Sequence, residues 1–276
     1  MSGPKSRSSP PLSLVESFFT PIHFMLDKAA FSLREKVIIQ FGGTGLLGRA
    51  LMASLTAADA TLVIASRNPT SCHTHSLPTE EVDIGDERSI QALRDRVITR
   101  YGKVDGIVFN AVSRPMASMA DSLSAWKSSM ETNATGFFAT VRLFGDAMAA
   151  RGSGSIVNIA SIQGMVGTNP WLYEGTTMGS PPDYFFHKGG MINLTRYLAS
   201  HYGSQGVRVN VVSPGGIFDP DKPQAPAFIE RYARSTMLGR MAEADEVGGA
   251  VVFLLSDQSS YITGVNLPVD GGYTST

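Results

Sequence analysis

The feature that most constrains the fold of this chain is a short apolar segment that leads through a glycine-rich turn into a helical pattern. Residues 36–41 read Lys-Val-Ile-Ile-Gln-Phe, and such a β-branched run is typical of a buried parallel strand. Glycines follow at positions 42, 43, 45 and 48, and residues 49–55 have helical spacing. A strand, a glycine turn and a helix in this order predict the dinucleotide-binding unit of a doubly wound α/β fold.

This turn is expected to hold a pyrophosphate, because glycine lets the backbone approach closely and a helix N-terminus attracts anions. A purely structural turn is the alternative, and the flanking strand and helix favour the phosphate site. The residues expected to contact the cofactor here are Gly42, Thr44, Gly45, Leu46, Leu47 and Gly48.

The end of the second predicted strand, residues 61–65, indicates which cofactor is used. A free ribose 2′-hydroxyl usually meets an acidic residue at this point. This chain has Ser66, Arg67 and Asn68 instead, and a guanidinium suits a 2′-phosphate. The segment therefore favours NADP(H), with NAD(H) possible, and an ordinary solvated arginine is the alternative for Arg67.

The third and fourth predicted strands end in further candidate cofactor contacts. Residues 81–84 predict a strand that would place Asp83 and Ile84 beside the adenine. The alternative for Asp83 is a cap on the helix that begins near Asp86. The fourth strand, residues 104–109, leads into the cleft at the carboxyl ends of the strands. The candidate contacts there are Asn110, Ala111 and Val112.

A helix predicted within residues 181–202 contains a tyrosine and a lysine that suit proton transfer. Tyr184 and Lys188 are four residues apart, so they lie on the same helical face, and Asp183 is the expected N-cap. A neighbouring ammonium lowers the pKa of a phenol, which lets a tyrosine exchange protons near neutral pH. The pair alone is a weak signal, because a surface helix pair has the same spacing.

In combination, these residues resemble the short-chain dehydrogenase/reductase family over about residues 36–273. Several motifs occur in the order and spacing of that family, from the glycine turn to the C-terminus. They are the glycine turn, Asn110-Ala111, Asn133, Ser161, the Tyr184 and Lys188 pair, Asn-Val-Val-Ser-Pro-Gly at 210–215 and Val-Asp-Gly-Gly at 269–272.

The resemblance implies a role for each of four residues in hydride transfer between a nicotinamide and a carbonyl. Tyr184 is the general acid/base, and Ser161 holds the carbonyl oxygen. Lys188 bridges to the nicotinamide ribose, and Asn133 anchors a water that links Lys188 to solvent. Without the family, a mid-helix residue that bonds its own backbone is the favoured interpretation of Asn133.

The resemblance also implies that Pro214, Gly215 and Ile217 hold the nicotinamide carboxamide. Three residues depart from the pattern of the family's main branch. Phe41 stands for a threonine, Leu46 for a glycine in the turn and Val112 for a glycine after Asn-Ala. No chemical group is lost, although the departures affect how closely the nicotinamide half is held.

Two segments are candidates for substrate contact. The family's serine and tyrosine usually lie about a dozen residues apart, and here an extended loop, residues 163–183, separates them. A structural loop is the alternative to a specificity loop. Residues 218–240 resemble the helical segment that covers the substrate. The candidate substrate contacts are Gln163, Trp171, Glu174 and Phe218.

We therefore predict a Rossmann-type, mostly parallel seven-stranded sheet with helices on both faces, in one domain spanning residues 34–276. The residues most resemble gluconate 5-dehydrogenases and related sugar-acid dehydrogenases, which implies a sugar acid, polyol or hydroxy ketone as substrate. One alternative is a 3-oxoacyl thioester reductase, although the basic rim expected of it is absent near the extended loop. The other is a non-catalytic nucleotide-binding protein. The apolar helices at 134–148 and 185–198 suggest a homotetramer or homodimer.

Composition excludes several other classes of partner. A net charge of −1 gives no reason to expect nucleic acid, and no apolar run is long enough to span a membrane. Cys72 is the only cysteine, so we expect no disulfide, no metal and a cytoplasmic location. His73 and His75 flank it, and a polar surface loop is the expected structure there.

Residues 1–33 differ from the rest of the chain and are expected to form a partly disordered N-terminal arm. A secretory signal is not expected, because Glu16, Pro21 and Asp27 interrupt its apolar residues. The two acids also argue against a transit peptide. The arm is expected to pack on the domain or on a neighbouring subunit.

Overall fold

The computed structural model describes residues 31–69 and 77–275. Its seven strands form one sheet in the order β3-β2-β1-β4-β5-β6-β7, and every neighbouring pair is parallel. This confirms the predicted doubly wound fold. The strands are β1 Val37–Phe41, β2 Thr61–Ser66, β3 Thr79–Glu81, β4 Gly106–Phe109, β5 Gly154–Ile159, β6 Val207–Pro214 and β7 Asn266–Val269.

Helices cover both faces of the sheet. One core cluster contains residues of α2, α4 and α5, and the other contains residues of α1 and α7. The helices are α1 Leu46–Ala57, α2 Glu87–Tyr101, α3 Leu123–Met130, α4 Phe137–Arg151, α5 Pro182–Tyr202, α6 Pro226–Arg234 and α7 Gly248–Leu255.

The central strands are buried on both faces, which explains their apolar sequences. Ile38 packs in the cluster of α1 and α7, whereas Ile39 packs in the opposite cluster. All five residues of β1 are buried. Because the strands are parallel, their carboxyl ends lie along one edge. Ser66 is the last residue of β2 at this edge, and the glycine turn, Asn110 and Ser161 each follow a strand there.

The third strand begins earlier than predicted. Its pairing with β2 ends at Glu81, and the chain then turns where the Asp83 carboxylate accepts a hydrogen bond from Gly85 N, 2.9 Å away. Val82 and Ile84 are buried beyond the strand, which explains the apolar signal. Asp86, and not Asp83, caps α2 by accepting from the Arg88 amide.

Two helix predictions also need correction. The residue at the N-cap position of α5 is Pro181, and Asp183 lies in the first turn, where it bonds to Ser129 and not to its own backbone. Residues 243–255 have apolar side chains at helical spacing, and this pattern predicts one amphipathic helix. They form a short 3-10 turn, Ala244–Val247, followed by α7, in which five of the eight residues are buried.

The described end of the N-terminal arm packs on the domain. Leu33 is buried, and the rings of Phe31 and Phe253 lie 6.1 Å apart. Predictions for residues 1–30 and for the Cys72, His73 and His75 segment lie outside the described residues. Within 31–69 and 77–275, no helix is long and apolar enough to cross a membrane, and no group of His, Cys, Asp and Glu could hold a metal.

Candidate active site

The glycine turn after β1 leaves room for an anion. Gly42 has a φ of +84°, and a Cβ there would lie 2.9 Å from the Ala111 Cα. A Cβ at Gly48 would lie 2.7 Å from the Gly42 carbonyl oxygen. At Gly45, by contrast, a Cβ would meet nothing within 4 Å, and this residue precedes the first residue of α1. The open space at a helix N-terminus therefore fits a pyrophosphate.

A cavity of about 450 Å³ lies beside this turn at the ends of β1 and β2. Most of the predicted contacts to the adenosine half line it, but Asp83 does not and is exposed. The predicted residues in its lining are Gly42, Thr44, Ser66, Arg67, Asn68, Ile84, Ala111 and Val112. These residues could hold an adenine, a ribose and a 2′-phosphate.

A second cavity, of about 410 Å³, continues from the turn towards β5 and β6. Val112 lines both cavities. The Asn110 side chain donates to the Gly42 carbonyl at 2.9 Å, and this hydrogen bond holds the loop after β4 against the loop after β1. The other predicted residues in the lining are Gly45, Leu46, Leu47, Gly48, Ser161, Tyr184, Lys188, Pro214, Gly215 and Ile217.

The fold brings Ser161, Tyr184 and Lys188 to one wall of this second cavity. Ser161 follows β5 and accepts a hydrogen bond from Gln163 N at 3.1 Å. A Cβ at Gly164 would lie 2.6 Å from the Lys188 carbonyl carbon, so glycine there allows the serine turn to pack on α5. The Lys188 amine donates to the Ile159 carbonyl at 2.6 Å and lies 5.6 Å from the Tyr184 ring centroid.

The protonation of these groups differs from the prediction. Burial raises the pKa of the Tyr184 phenol and outweighs the lowering by the Arg114 charge and by the Ser161 hydrogen bond. Burial, assisted by Arg114, lowers the pKa of Lys188 to about 7. The expectation that Lys188 gives the phenol a lowered pKa is therefore wrong, because the site removes both groups from water.

Arg114 is the residue that the sequence interpretation missed. Its guanidinium carbon lies 5.0 Å from the Tyr184 ring centroid, and its side chain is exposed and lines the second cavity. It forms no hydrogen bond or ion pair with any residue that the structure describes. The available signal was an arginine four positions after Asn110, in the loop that follows β4. The interpretation of that loop ended at Val112.

Asn133 lies in a π-helical turn, Glu131–Gly136, between α3 and α4. Its side chain accepts from Ser113 N and donates to Ser113 O, both at 2.8 Å, and it also donates to Ser129 Oγ at 2.9 Å. It therefore clamps the loop that contains Arg114, and it does not bond its own backbone. The π-turn directs the side chain towards this loop.

The four predicted substrate contacts do not line the second cavity. Gln163 donates to the Tyr173 hydroxyl at 3.3 Å, and Trp171 lies 5.8 Å beneath the Arg231 guanidinium. Arg231 also donates to the Glu174 carbonyl, and Phe218 packs against a cluster of buried residues from the loop and α6. The loop at 163–183 therefore supports the segment at 218–240.

A larger cavity, of about 650 Å³, lies between the end of the N-terminal arm, α1 and α7. Its lining includes Phe31 and Asp59 but no predicted site residue. The two charged residues in its lining, Arg34 and Asp59, pair with each other at 3.4 Å, so the size of this cavity alone does not make it a candidate site.

Sequence comparison gives one family match and many relatives. A family model described as enoyl-(acyl carrier protein) reductase matches residues 47–274. Cis-4-hydroxycyclohexanecarboxylate dehydrogenase of Sinomonas cyclohexanicum is 37% identical over 70% of this chain and 75% of its own. A 2,5-dichloro-2,5-cyclohexadiene-1,4-diol dehydrogenase of Sphingobium indicum is 34% identical over 88% of this chain and 98% of its own.

Solved structures agree in fold. A gluconate 5-dehydrogenase from Burkholderia cenocepacia in complex with NADP and tartrate has a TM-score of 0.81 and 26% identity, and covers 90% of this chain and 98% of its own. A short chain dehydrogenase from Leptospira borgpetersenii with bound NAD+ has a TM-score of 0.81 and 28% identity, and covers 91% of this chain and 98% of its own.

Proposed function

The chain belongs to the short-chain dehydrogenase/reductase family and is an oxidoreductase of that family, and we propose that it interconverts a secondary alcohol and a ketone on a carboxylate-bearing substrate with NADP(H). The observation that supports this most is the composition of one cavity. Ser161, Tyr184, Lys188 and Arg114 line it together with the glycine turn.

The bound nicotinamide would supply or accept the hydride, and the residues of this chain would handle the oxygen and its proton. Ser161 and Tyr184 line the same cavity, and the Ser161 hydroxyl is close enough to lower the pKa of the phenol, so both hydroxyls can reach one substrate oxygen. Because burial raises the pKa of Tyr184, the phenol is protonated at neutral pH and can protonate the oxygen formed in ketone reduction. In alcohol oxidation the phenolate accepts that proton.

Arg114 distinguishes an acidic substrate from a neutral one. A guanidinium without an acidic partner at the mouth of the site is suited to bind a carboxylate with two parallel hydrogen bonds. Two of the similar proteins are described with a carboxylate. The Sinomonas enzyme is named for a hydroxycyclohexanecarboxylate, and the Burkholderia gluconate 5-dehydrogenase was solved with tartrate. A sugar acid or another hydroxy acid is therefore favoured over a polyol or a neutral hydroxy ketone.

A neutral diol is the second candidate, since the relative that acts on dichlorocyclohexadienediol aligns over 88% of this chain. The two candidates differ in what Arg114 does. Binding of a carboxylate substrate would depend on the guanidinium, whereas binding of a neutral diol would not.

The test compares gluconate with glucitol, a polyol of the same carbon count, by following NADPH formation. We expect a higher kcat/KM for gluconate, and we expect Arg114→Gln to raise KM for gluconate alone. Tyr184→Phe should abolish turnover and leave NADPH binding unchanged. Turnover that survives in Tyr184→Phe would refute the assigned chemistry. Tight NADPH binding without turnover of any hydroxy acid, diol or 3-oxoacyl thioester would favour the non-catalytic alternative.

The preference for NADP(H) rests on Ser66 and Arg67 in the cavity at the end of β2. Titration with NADPH and NADH, followed by nicotinamide fluorescence, measures it directly. At least about tenfold tighter NADPH binding is expected, which corresponds to one charge-assisted contact to the phosphate. Equal affinities would remove the role given to Arg67.

A homotetramer or homodimer and a cytoplasmic location are also part of the proposal. Phe138 of α4 and Phe186 and Tyr197 of α5 are exposed, as expected of an apolar face that a second copy covers. Light scattering on the purified protein measures the oligomeric state. A monomer at micromolar concentration would contradict the prediction.

A further inference from the structure

The first two turns of α5 contain a second pair of side chains at helical spacing, beside Tyr184 and Lys188. Asp183 and His187 are also four residues apart, so they lie one above the other on an adjacent face of the helix. Asp183 is 2% exposed and His187 is 4% exposed. Neither residue lines the cavity that contains Tyr184. They are buried polar groups that the chemistry proposed above does not use.

One end of this pair belongs to a chain of hydrogen bonds that reaches the loop after β4. Ser129 Oγ donates to Asp183 Oδ2 at 2.5 Å, and Asn133 Nδ2 donates to Ser129 Oγ at 2.9 Å. Asn133 in turn holds both backbone groups of Ser113, as described above. We use the term buried polar chain for the four side chains Asn133, Ser129, Asp183 and His187.

At its other end, the buried polar chain has three polar atoms without partners. They are Asp183 Oδ1, His187 Nδ1 and His187 Nε2, all of which are buried with no hydrogen-bond partner among the described residues. Buried polar atoms are almost always satisfied, often by a water that makes about three hydrogen bonds. A carboxylate accepts and a neutral imidazole both donates and accepts, so one water can satisfy groups of both residues.

We propose that a buried water joins Asp183 to His187 and completes the buried polar chain, which then fixes the Tyr184 ring for proton transfer. The His187 ring packs on the Tyr184 ring, with centroids 5.2 Å apart and planes at 83°. At the other end, Ser113 is directly followed by Arg114, which lies over the same tyrosine ring. His187 and Arg114, the two residues that flank the Tyr184 ring, are therefore connected through one hydrogen-bonded path.

His187 acts in this chain as a neutral ring. Burial, the charge of Lys188 and the charge of Arg114 together lower its pKa to about 3, while the nearest acid, Asp183, makes no ion pair with it within the described residues. A neutral imidazole is suited to hold a water and unsuited to hold a permanent charge. His187 is accordingly a positioning residue, and Tyr184 remains the group that exchanges the proton.

The activity test rests on the proposed function and uses two substitutions at His187. His187→Phe keeps an aromatic ring but cannot bind a water, whereas His187→Gln keeps one donor and one acceptor. We expect kcat to fall about tenfold or more in His187→Phe, since small misplacements of a reacting group are costly. The KM for NADPH should stay within about twofold, and His187→Gln should recover most of kcat.

A second measurement does not depend on activity, so it separates a failure of this inference from a failure of the proposed function. If Ser129 and His187 are linked through the chain, Ser129→Ala and His187→Phe should be non-additive in the unfolding constant by about fivefold. Tyr202→Phe provides the control, because its hydroxyl donates to Asp146 at 2.7 Å, far along the same helix. It should be additive with Ser129→Ala.

Two results would overturn the inference. In the first, His187→Phe retains full kcat and unfolds at a higher temperature than the parent protein, as expected if the histidine is only an unsatisfied buried group. In the second, the effects of the Ser129 and His187 substitutions on the unfolding constant are additive. An absence of turnover in the unsubstituted protein, combined with a non-additive pair, would refute the proposed function and leave the buried polar chain supported.

Discussion

Lys188 provides a test of the electrostatics of the site that needs no substrate. The amine is 3% exposed, and burial together with Arg114 lowers its pKa from 10.5 to about 7. A cation whose pKa is lowered on folding binds fewer protons in the folded than in the unfolded protein between these two pH values. Stability then rises with pH in that window. The contribution of Lys188 to the free energy of unfolding is therefore greatest above pH 10.5 and decreases as the pH is lowered to about 7.

The magnitude follows from the two pKa values. From pH 7 to pH 9 the free energy of unfolding should increase by about 2 kcal/mol more than in a protein without the titrating amine. Each difference of one between the folded and unfolded pKa values corresponds to about 1.4 kcal/mol. Lys188→Met is the matched variant, since it removes the amine and keeps a long side chain. Its lost hydrogen bond to Ile159 is the same at both pH values, because a neutral amine also donates.

The assay is urea unfolding of both proteins at pH 7 and pH 9, at 25 °C. The quantity compared is the increase in unfolding free energy from pH 7 to pH 9 in the parent protein minus the same increase in Lys188→Met, so that titrations common to both proteins cancel. Tyr184 does not complicate the comparison, since Lys188 is not among the causes of its raised pKa. A difference below about 0.5 kcal/mol would show that the buried amine keeps an ordinary pKa.

Three further predictions test other parts of the structure, two of them with a matched second substitution. Gly45→Val should weaken NADPH binding at least about tenfold, as measured by fluorescence titration, with little loss of stability because its Cβ has open space. Gly48→Ala should instead lower the free energy of unfolding by about 1–3 kcal/mol, as measured by urea unfolding, because its Cβ would contact the Gly42 carbonyl. Arg67→Ala should weaken NADPH by about ten- to a hundredfold and change NADH less than twofold, and an equal loss for both cofactors would contradict the phosphate contact. Leu172→Ala, in the buried cluster of the extended loop and α6, should lower the local free energy of unfolding by about 2–5 kcal/mol and speed hydrogen exchange in residues 226–234. Trp171→Ala, which removes only the contact of an exposed ring with Arg231, should speed that exchange less.

The sheet and most of the site could be predicted because their signals are local. A strand buried on both faces needs an apolar sequence, so β1 and β2 were located to within about a residue. Tyr184 and Lys188 have the four-residue spacing of a family motif, and Ser161 precedes them in the order of that family. The third strand was misplaced because Val82 and Ile84 are apolar for a different reason, namely that they are buried beyond the edge strand.

What could not be predicted depends on three-dimensional contacts. The sequence places a lysine near a tyrosine, but only the fold shows that both are buried, which reverses the expected pKa shift of the phenol. Arg114 is distant in sequence from Tyr184, and its contact with the ring exists because Asn133 clamps Ser113. The sequence left two roles open for the extended loop, substrate contact and structural support. Its packing on α6, where Leu172 and Phe228 are buried in one cluster, is a three-dimensional contact that no sequence pattern predicts.

The position of Arg114 links the charge of the substrate to the proton transfer. Its positive charge favours the Tyr184 phenolate and so lowers the pKa of the phenol from the value that burial alone would give. A substrate carboxylate bound to Arg114 would compensate this charge and raise the pKa again. Alcohol oxidation needs the phenolate, so the alkaline rise of its pH profile should lie at higher pH for a hydroxy acid than for a neutral alcohol. In Arg114→Gln the two profiles should coincide, because no cation remains to be compensated. If they coincide in the unsubstituted protein as well, the substrate carboxylate does not bind at Arg114, and the guanidinium serves the tyrosine alone.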